Sequence, residues 1–411
     1  MKKKYAWLLL LNLLWGLVYF LVFYNLKINI TEDLMFSPLD AKAFLEVSNE
    51  FYDFSVQGCS VSRTFFYPLL ILIFYGTMGA YGLWILQLFF WIVSVNLLYL
   101  SIEKTTHNKT LSFIGSTLIV LNFSFMSLTM VALTEVSVIF LLSLLIYFLA
   151  FNVSKWNTLR SFHVYLLITI LLAVIKPLFL LPLIFLLFFI MPVFYLKKYL
   201  KSPKNIFILI LILIPLLFQL TLMKVKYDRF SFNNKGHDTF KYYFFSQGIQ
   251  QINNISLTEA REEAQKFSKQ ETISYMFRNL PTYTIIYFQN LKNNINSASL
   301  SNQMFDNSGN SFFSRYMLIM NKIYSLLHLI FLLPVLIGVI YTFRKKEWNY
   351  FILFAVLSSL TYYIFFATAI SFWQGDRLVI PALPLFIFLY IVISKYFFEK
   401  IRSCRKRTMA I

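Results

Sequence analysis

The main pattern in this chain is a series of long apolar runs, separated by short basic stretches and by two longer polar segments. Crossing a bilayer as a helix takes about 20 mostly apolar residues, and most of the runs approach or exceed that length. We therefore predict an all-α polytopic membrane protein. The runs lie near residues 5–24, 81–102, 111–131, 136–151, 162–196, 206–223, 323–343, 350–370 and 378–398.

The run at 162–196 is too long for one crossing, and Lys176-Pro177 interrupts its middle. Two short crossings of about 17 residues each fit on either side of that break, which gives about ten crossings in all. With the N-terminus in the cytoplasm, ten crossings place every basic cluster and both termini inside, as the positive-inside rule requires. A single crossing here would invert all later clusters. The clusters are residues 2–4, 104/109, 155/160, 197–204, 344–346 and 400–407.

The two longer polar segments, 25–80 and 224–316, fall on the outer face in this topology. We expect three regions. Residues 1–223 form an N-terminal transmembrane module that includes the first outer segment. Residues 224–316 form an outer-face helical segment, and residues 317–411 form a C-terminal transmembrane module.

Both outer segments carry helix signals. Apolar residues recur at helical spacing over 40–54, which predicts an amphipathic helix lying on the membrane surface. In the second segment, Ser256-Leu-Thr-Glu259 predicts a helix start with a capping box, and 272–295 predicts a further amphipathic helix. Together these helices would wall a groove open to lipid. The apolar positions of the first helix are Phe44, Val47, Phe51 and Phe54.

Composition supports a membrane environment and narrows the function. Of 411 residues, 59% are hydrophobic and 13% are charged, whereas soluble domains average about 25% charged residues. The net charge of +19 would suit nucleic acid, but the cations sit beside apolar runs, so we expect the lipid bilayer and no nucleic acid as a partner. Walker A, dinucleotide-binding, paired-histidine zinc and nucleophile-elbow motifs are missing from the sequence.

Two acidic residues near the predicted outer ends of crossings are candidates for chemistry. Asp40 begins the first amphipathic helix, and its alternative role is structural, with Ser37 as N-cap and Pro38 at the first helical position. Glu135 lies between the third and fourth crossings, where a carboxylate beside hydrocarbon is costly and is a functional candidate. Its alternative is an acid at a helix start in a solvated turn.

Three cations fall on the same predicted face. Lys176 and Arg377 lie at outer turns, and Arg63 lies at the start of an apolar stretch. Each alone could extend to lipid phosphates instead of serving a site. Their convergence with the two acids on one face favours a shared site.

Five short blocks in this order resemble the GT-C superfamily of membrane glycosyltransferases, which use polyprenyl-phosphate-linked sugars. Protein O-mannosyltransferases and the lipid A aminoarabinose transferase are relatives. The stretch 275–295, with Pro281 between two helical halves, also resembles an element of that family. The blocks are Asp40-Ala-x-x-Phe-Leu45, Arg63-Thr-Phe-Phe-Tyr-Pro-Leu-Leu-Ile71, Leu133-Thr-Glu135, Ile175-Lys-Pro177 and Gly375-Asp-Arg-Leu-Val-Ile-Pro-Ala-Leu-Pro384.

The resemblance implies a GT-C-like fold and an inverting hexosyl- or pentosyl-type glycosyltransferase in a bacterial plasma membrane. It would move a sugar from a polyprenyl phosphate to an extracytoplasmic glycan, lipid or protein acceptor.

The resemblance also implies roles for the five residues. Asp40 would be the catalytic base, and Glu135 a second catalytic carboxylate that binds the acceptor or a metal. Arg63, Lys176 and Arg377 would contact the donor phosphate. Asp40 and Glu135 would also hold Mg²⁺ or Mn²⁺ if a metal is used.

The sequence departs from the family pattern at three points. Lys176 replaces an arginine before proline, and Arg377-Leu-Val-Ile-Pro381 stands for Arg-Tyr-x-x-Pro. The Asp-x-Asp motif of the first outer segment is missing, since Glu32-Asp33 has another spacing. That last departure leaves metal dependence open.

Two alternative functions remain. An O-antigen-type polymerase or ligase would depend on arginines of the large outer segment, Arg229, Arg261 and Arg278. A lipid-linked-sugar transporter or flippase would carry internal repeats and broken helices, of which the sequence offers only the break at Lys176-Pro177.

Overall fold

The computed structural model describes residues 6–26, 28–53, 63–228, 230–232, 240–296, 311–371 and 375–408, and within these ranges it is helical, without a strand. The first eleven helices are α1 (Ala6–Leu26), α2 (Glu32–Met35), α3 (Leu39–Tyr52), α4 (Phe66–Thr106), α5 (Lys109–Val120), α6 (Phe123–Leu128), α7 (Glu135–Asn152), α8 (Leu159–Ile175), α9 (Leu180–Phe185), α10 (Leu196–Leu200) and α11 (Pro203–Tyr227). The others are α12 (Ser246–Asn253), α13 (Leu257–Lys266), α14 (Lys269–Arg278), α15 (Leu280–Asn296), α16 (Ser311–Arg344), α17 (Trp348–Ala367) and α18 (Leu383–Thr408).

The chain is a multi-pass membrane protein. Within the described ranges, seven helical segments are long and apolar enough to cross a bilayer. Three shorter apolar helices, Lys109–Val120, Leu159–Ile175 and Leu332–Arg344, lie where three further predicted runs fall. The count of about ten crossings therefore stays a prediction. The seven segments are Ala6–Tyr24, Phe66–Thr106, Glu135–Lys155, Pro177–Leu200, Pro203–Val225, Trp348–Ile370 and Ile380–Arg402.

The apolar run predicted at 111–131 is not one helix. It is divided between α5 and α6 at Asn122, whose side chain accepts a hydrogen bond from the Phe125 backbone N–H at 2.9 Å. An asparagine in this position caps the start of a new helix. Periodicity alone missed the break because the residues on both sides of it are apolar.

The break predicted inside 162–196 is confirmed. Helix α8 ends at Ile175, Lys176 has extended backbone angles, and Pro177 begins a short 3-10 helix. Proline disfavours the helical conformation of the residue before it, which explains why the helix ends here. After α9 the chain continues as a π-helix over Leu186–Tyr195.

Helix α4 begins at Phe66, inside the stretch 25–80 that was expected to be a polar outer segment. Its backbone is interrupted at Gly79, where φ is 63° and ψ is −155°. The 66–78 portion is thus an apolar helix joined to the following crossing through a bend.

Helix α3 confirms the predicted amphipathic helix, and its apolar face packs against α4. Phe44 and Val47 are buried, and the ring of Phe44 meets that of Tyr67 edge-on at 5.1 Å. Burial of this face against protein fixes the position of Asp40 relative to the rest of the chain. Phe54 lies outside the described residues.

The start of α3 differs from the prediction by one position. The N-cap residue is Pro38, and no side chain caps the helix. The Ser37 hydroxyl instead donates to the Leu34 carbonyl at 2.9 Å.

The segment predicted to lie on the outer face forms a small helical cap, α12 to α15, with its own core. The capping box at Ser256 and Glu259 is confirmed, and a second one lies at Ser268 and Glu271. The break near Pro281 falls at Asn279, so the proline lies in the first turn of α15. The buried residues of this core are Phe244, Phe245, Ile249, Ala260, Ala264, Tyr283 and Ile286.

Two asparagines of α15 join the cap to the turn after α17. The Asn290 side chain donates to the Ala369 carbonyl at 3.2 Å. The Asn294 side chain donates to the carbonyls of Thr368 and Ser371 at 2.9 and 2.6 Å. The cap is thereby held beside the end of α17.

Candidate functional site

The structure brings all five candidate residues to the wall of one cavity of about 1120 Å³. They come from separate parts of the chain and are placed there by helix ends. Asp40 lies in the first turn of α3, Arg63 precedes α4, Glu135 begins α7, Lys176 follows α8, and Arg377 lies in a 3-10 helix over Gly375–Leu378.

Asp40 is held by two arginines, one on each carboxylate oxygen. Arg63 Nη2 donates to Oδ1, and Arg377 Nη2 donates to Oδ2. The guanidinium of Arg63 also lies over the ring of Phe44, with its carbon 4.8 Å from the ring centroid. Asp40 thus lies at a helix start, as its alternative structural role predicted. Its carboxylate, however, forms ion pairs with two arginines instead of capping the helix.

The arginines determine the ionisation of Asp40. Burial alone would raise the pKa of the carboxyl, but the positive charges of Arg377 and Arg63, with their hydrogen bonds, outweigh it and hold the pKa well below its usual range. For Arg377, burial would lower the pKa, yet the charges of Glu135 and Asp40 raise it above the ordinary value. Both groups are charged at neutral pH.

Glu135 lies in a buried site, so the expectation of a solvated turn is wrong. Its side chain is 3% exposed, and Lys176 Nζ donates to Oε1 at 3.2 Å. Arg377 Nε lies 3.9 Å from the same oxygen. A buried carboxylate needs such partners because the loss of hydration is otherwise uncompensated.

The three cations have protein partners in this structure. Each contacts a carboxylate, and their side chains are only 13–20% exposed. Arg377 contacts both acids and so joins the Asp40 pair to the Glu135 pair. The result is one connected network of five charges.

Most of the remaining wall is apolar or aromatic, and sequence reasoning missed its tyrosines. Tyr242 and Tyr243 come from a short π-helix, Lys241–Phe245, that precedes α12, and Tyr287 comes from α15, where its hydroxyl donates to the Phe366 carbonyl at 2.8 Å. Burial raises the pKa of Tyr243, and the nearby charge of Asp40 adds to this effect. In the sequence, the only feature that could have indicated these residues is the pair of adjacent tyrosines, Tyr242-Tyr243, within the polar segment 224–316. The apolar part of the wall includes Leu178, Leu180, Leu181, Phe232, Phe240, Phe366 and Ile370.

The carboxylates do not offer a ready site for a divalent ion. Both oxygens of Asp40 and one oxygen of Glu135 already contact cations. Among the described residues there is no group of three histidine, cysteine, aspartate or glutamate side chains arranged to hold a metal. Mg²⁺ is usually bound through one or two carboxylates together with water and substrate phosphate, so binding of a metal by Asp40 and Glu135 would require their cationic partners to move and stays a prediction.

Basic residues lie at the end of the bundle opposite the cavity. Helix α7 has 18 residues, so its ends are about 26 Å apart, and Lys104 lies 5.5 Å from the ring of Phe151 at the end away from Glu135. Helix α17 reaches the cavity at Ala367. Next to its other end, Glu347 pairs with Lys400 at 2.5 Å.

Two of the three arginines of the polymerase alternative, Arg261 and Arg278, lie outside the cavity wall. The guanidinium of Arg261 stacks on the ring of Tyr242, 3.8 Å from its centroid, and Arg278 is an exposed residue at the end of α14. Arg229 lies outside the described residues.

Comparison of the chain with protein families, with curated proteins and with solved structures finds no match in any of the three.

Proposed function

We propose that this protein is a GT-C-type glycosyltransferase that moves a sugar from a polyprenyl phosphate to an extracytoplasmic glycan, lipid or protein acceptor. One observation carries the proposal. Two carboxylates and three cations, supplied by five separate chain segments, meet at the wall of a single large cavity. Transfer from a phosphate to a hydroxyl needs a base and a set of positive charges.

The network supplies both parts of an inverting displacement. The acceptor oxygen attacks the anomeric carbon while the bond from that carbon to the phosphate oxygen breaks. Asp40 takes the acceptor proton, and the phosphate leaves with the bonding electrons. Arg63, Lys176 and Arg377 stabilise the charge that develops on it.

The donor also supplies a reason for Asp40 to become a better base. In the structure the two arginines hold its pKa low, and a weakly basic carboxylate is a poor proton acceptor. A bound phosphate would compete for the N–H groups of Arg63 and Arg377. Asp40 would then face the acceptor hydroxyl with less positive charge beside it.

The apolar wall suits the lipid part of the donor. Leu181 and Phe366 line the cavity, are exposed, and belong to two of the segments long and apolar enough to cross a bilayer. In a bilayer such a surface contacts acyl chains, so a polyprenyl chain could pass from lipid to the charged network at this point. A soluble sugar nucleotide has no lipid chain that would contact this apolar surface.

The charge distribution supports placing the cavity outside. Lys104 and Lys400 lie at the end away from it, and basic residues favour the cytoplasmic side. With this orientation both termini are cytoplasmic and the site faces outward from a bacterial plasma membrane.

A transfer assay with a matched pair of variants tests the proposal. Purified protein in nanodiscs is incubated with radiolabelled undecaprenyl-phosphate hexoses and pentoses and with acceptor extracts, and the released undecaprenyl phosphate is measured. We expect the wild type to consume at least one donor, and Asp40→Asn to lower the rate about 100-fold or more, the usual effect of a general base.

Asp53→Asn is the control, because Asp53 is exposed at the other end of α3. It should keep the wild-type rate. Wild-type transfer by Asp40→Asn would show that Asp40 is not the base. In sealed proteoliposomes, movement of intact lipid-linked sugar across the membrane without release of undecaprenyl phosphate would favour a flippase. Loss of transfer in Arg261→Gln with retention in Asp40→Asn would favour the polymerase alternative.

A further inference from the structure

We infer that the part of the cavity wall formed by Tyr242, Tyr243 and Gln265, here called the cap wall, is the acceptor subsite and that it takes a carbohydrate. The bound group would be a hydroxyl-bearing sugar ring of a glycan. This inference rests on the proposed function, which leaves the acceptor open among a glycan, a lipid and a protein. It names the acceptor class and makes Tyr242 a specificity-determining residue.

The acceptor subsite has to border Asp40. A base takes a proton only from a group within hydrogen-bond reach. An inverting displacement also places the acceptor oxygen and the leaving phosphate on opposite sides of the anomeric carbon. Since the lipid-linked donor would approach along the apolar wall at Leu181 and Phe366, the acceptor needs a different approach to Asp40.

Tyr243 connects the cap wall to the charged network. Burial raises the pKa of its hydroxyl, the charge of Asp40 raises it further, and the charge of Arg377 lowers it, so the phenol lies close to both residues. The ring centroid of Tyr242 is 4.9 Å from that of Tyr243, and the two ring planes meet at 77°. A ligand on Tyr242 would therefore lie one aromatic ring away from the network.

The ring of Tyr242 is a platform that the fold holds in place. The guanidinium carbon of Arg261 lies 3.8 Å from the ring centroid, and Arg261 Nε donates to the Tyr242 carbonyl at 3.4 Å. Tyr242 nevertheless stays 40% exposed and lines the cavity. Because the ring is already fixed by a protein contact, a ligand that packs on it has little side-chain entropy to remove.

The chemistry of the cap wall suits a sugar ring. A pyranose carries C–H groups of partial positive charge on its faces, which pack against the negative face of an aromatic ring, while its hydroxyls need hydrogen-bond partners. The amide of Gln265 both donates and accepts. It is exposed at the cavity, and it has no hydrogen-bond partner within the described part of the chain.

A peptide or a second lipid fits this wall less well. Extended peptides are commonly bound by pairing with the edge of a sheet, and the described ranges contain no strand. A lipid acceptor would need its own apolar path to Asp40. Among the described residues, the helices α12 to α15 are not long and apolar enough to cross a bilayer. A glycan is the class that matches the wall.

The chemistry of the transferred label tests the acceptor class. Protein in nanodiscs is incubated with radiolabelled undecaprenyl-phosphate sugars and with envelope extracts, and the labelled product is treated with protease and with alkali. We expect the label to remain on carbohydrate after protein and acyl chains have been removed, because a linkage between two sugars survives both treatments.

Variants of Tyr242 test the subsite through separate KM values for the two substrates, with the labelled extract fraction as acceptor. Tyr242→Ala should raise the KM for the acceptor about tenfold, the worth of a stacking contact, and leave the KM for the donor unchanged. Tyr242→Phe keeps the ring and should behave as the wild type. Tyr52→Ala is the matched control, because Tyr52 is exposed at the end of α3 and outside the cavity wall.

Arg261 acts through Tyr242 and is a positioning residue. Arg261→Gln should raise the KM for the acceptor about threefold, because the ring loses the cation that holds it. Arg261→Lys keeps a cation beside the ring and should restore most of this loss. Arg278→Gln, at an exposed position of the same cap outside the cavity wall, should change neither KM.

Label attached directly to protein, or to a lipid without sugar, would overturn the inference and leave the glycosyltransferase proposal standing. An unchanged acceptor KM in Tyr242→Ala, or a rise in the donor KM alone, would have the same meaning. If the wild type releases no undecaprenyl phosphate from any donor, the proposed function itself fails, and the acceptor subsite fails with it.

Discussion

Arg377 is the residue on which the charged network depends. Its Nη2 donates to Asp40 and its Nε lies 3.9 Å from Glu135. A guanidinium can contact two carboxylates at once because its donors are spread over a planar fork, whereas the ammonium group of lysine is a single point charge. The identity of this residue, and not only its charge, should therefore matter.

We predict that Arg377→Lys lowers the rate of transfer about tenfold and Arg377→Gln about 100-fold or more, because the first keeps the charge and loses one contact while the second loses both. The measurement is kcat/KM for release of undecaprenyl phosphate. Arg402→Gln, at an exposed position of α18 remote from the cavity wall, is the control and should be neutral. Equal rates for Arg377→Lys and wild type would show that only charge matters here.

The ion pairs of Asp40 should make stability depend on pH in a defined direction. The pKa of Asp40 is lowered in the folded protein, so its contribution is fully present above the unfolded pKa of about 4 and is lost as pH falls towards the lower folded value. We expect the melting temperature of the wild type to exceed that of Asp40→Asn at pH 7, and the gap to narrow below about pH 4. A gap that widens on acidification would contradict this assignment.

At this scale the sequence could indicate which residues matter but not how they pair. Each of the five was recognisable as a charge beside hydrocarbon or through the GT-C resemblance. Their partners were not, because Asp40 and Arg377 are 337 positions apart and only the folded chain brings them together. Tyr242 and Tyr243 were missed because tyrosines in a polar segment have many ordinary roles.

At the scale of elements, the bend in α4 depends on one glycine. Gly79 has a φ of 63°, a backbone conformation in which a side chain is strained. No heavy atom lies within 4 Å of where a Cβ would be, so crowding is not the issue. The strain of the backbone alone should oppose substitution.

We predict that Gly79→Ala lowers stability by about 1–3 kcal/mol, because φ of 63° with ψ of −155° is a backbone conformation used almost only by glycine; the measurement is a lower melting temperature in nanodiscs. Gly76→Ala is a matched control three residues earlier, with open space around it and no such φ. It should be neutral or slightly stabilising, because alanine favours a helix. A lower melting temperature for both variants would point to a requirement for glycine that is unrelated to the bend.

Some elements could be predicted and others could not, for reasons visible in the chain. The break at Lys176-Pro177 and the capping box at Ser256 have local chemical causes that the sequence shows. The bend at Gly79 and the division at Asn122 lie within apolar stretches, where a glycine or an asparagine does not always end a helix. The packing of α3 against α4 is tertiary, so its amphipathic pattern alone could not tell protein from lipid.

At the scale of the whole molecule, the cavity lies at one end of the bundle, and Lys104 and Lys400 lie at the other. We predict that a membrane-impermeant maleimide labels Gln265→Cys in intact cells and leaves Arg402→Cys unlabelled, in a background with Cys59 and Cys404 replaced by serine. Gln265 is exposed and lines the cavity, and Arg402 is exposed near the end of α18.

Labelling of both positions after the cells are opened is the control for reactivity. The reverse pattern in intact cells would place the cavity in the cytoplasm, and a transferase acting on outer acceptors would then be untenable.

The class of protein was predictable at this scale because hydrophobicity is additive along the chain. The number of crossings was harder to predict from the sequence, because it depends on where the helices break.

The hydrogen bonds of Asn290 and Asn294 make the attachment of the cap independent of the side chains that shape the cavity at this point. These hydrogen bonds to the turn after α17 all end on backbone carbonyls, which every amino acid provides. The side chains of residues 368–371 could therefore change during evolution while α15 stays bonded to their backbone. Thr368, Ile370 and Ser371 line the cavity, so such changes would alter the shape of the cavity while the charged network stays in place. Under the proposed function, the acceptor could thus change while the charged network is kept.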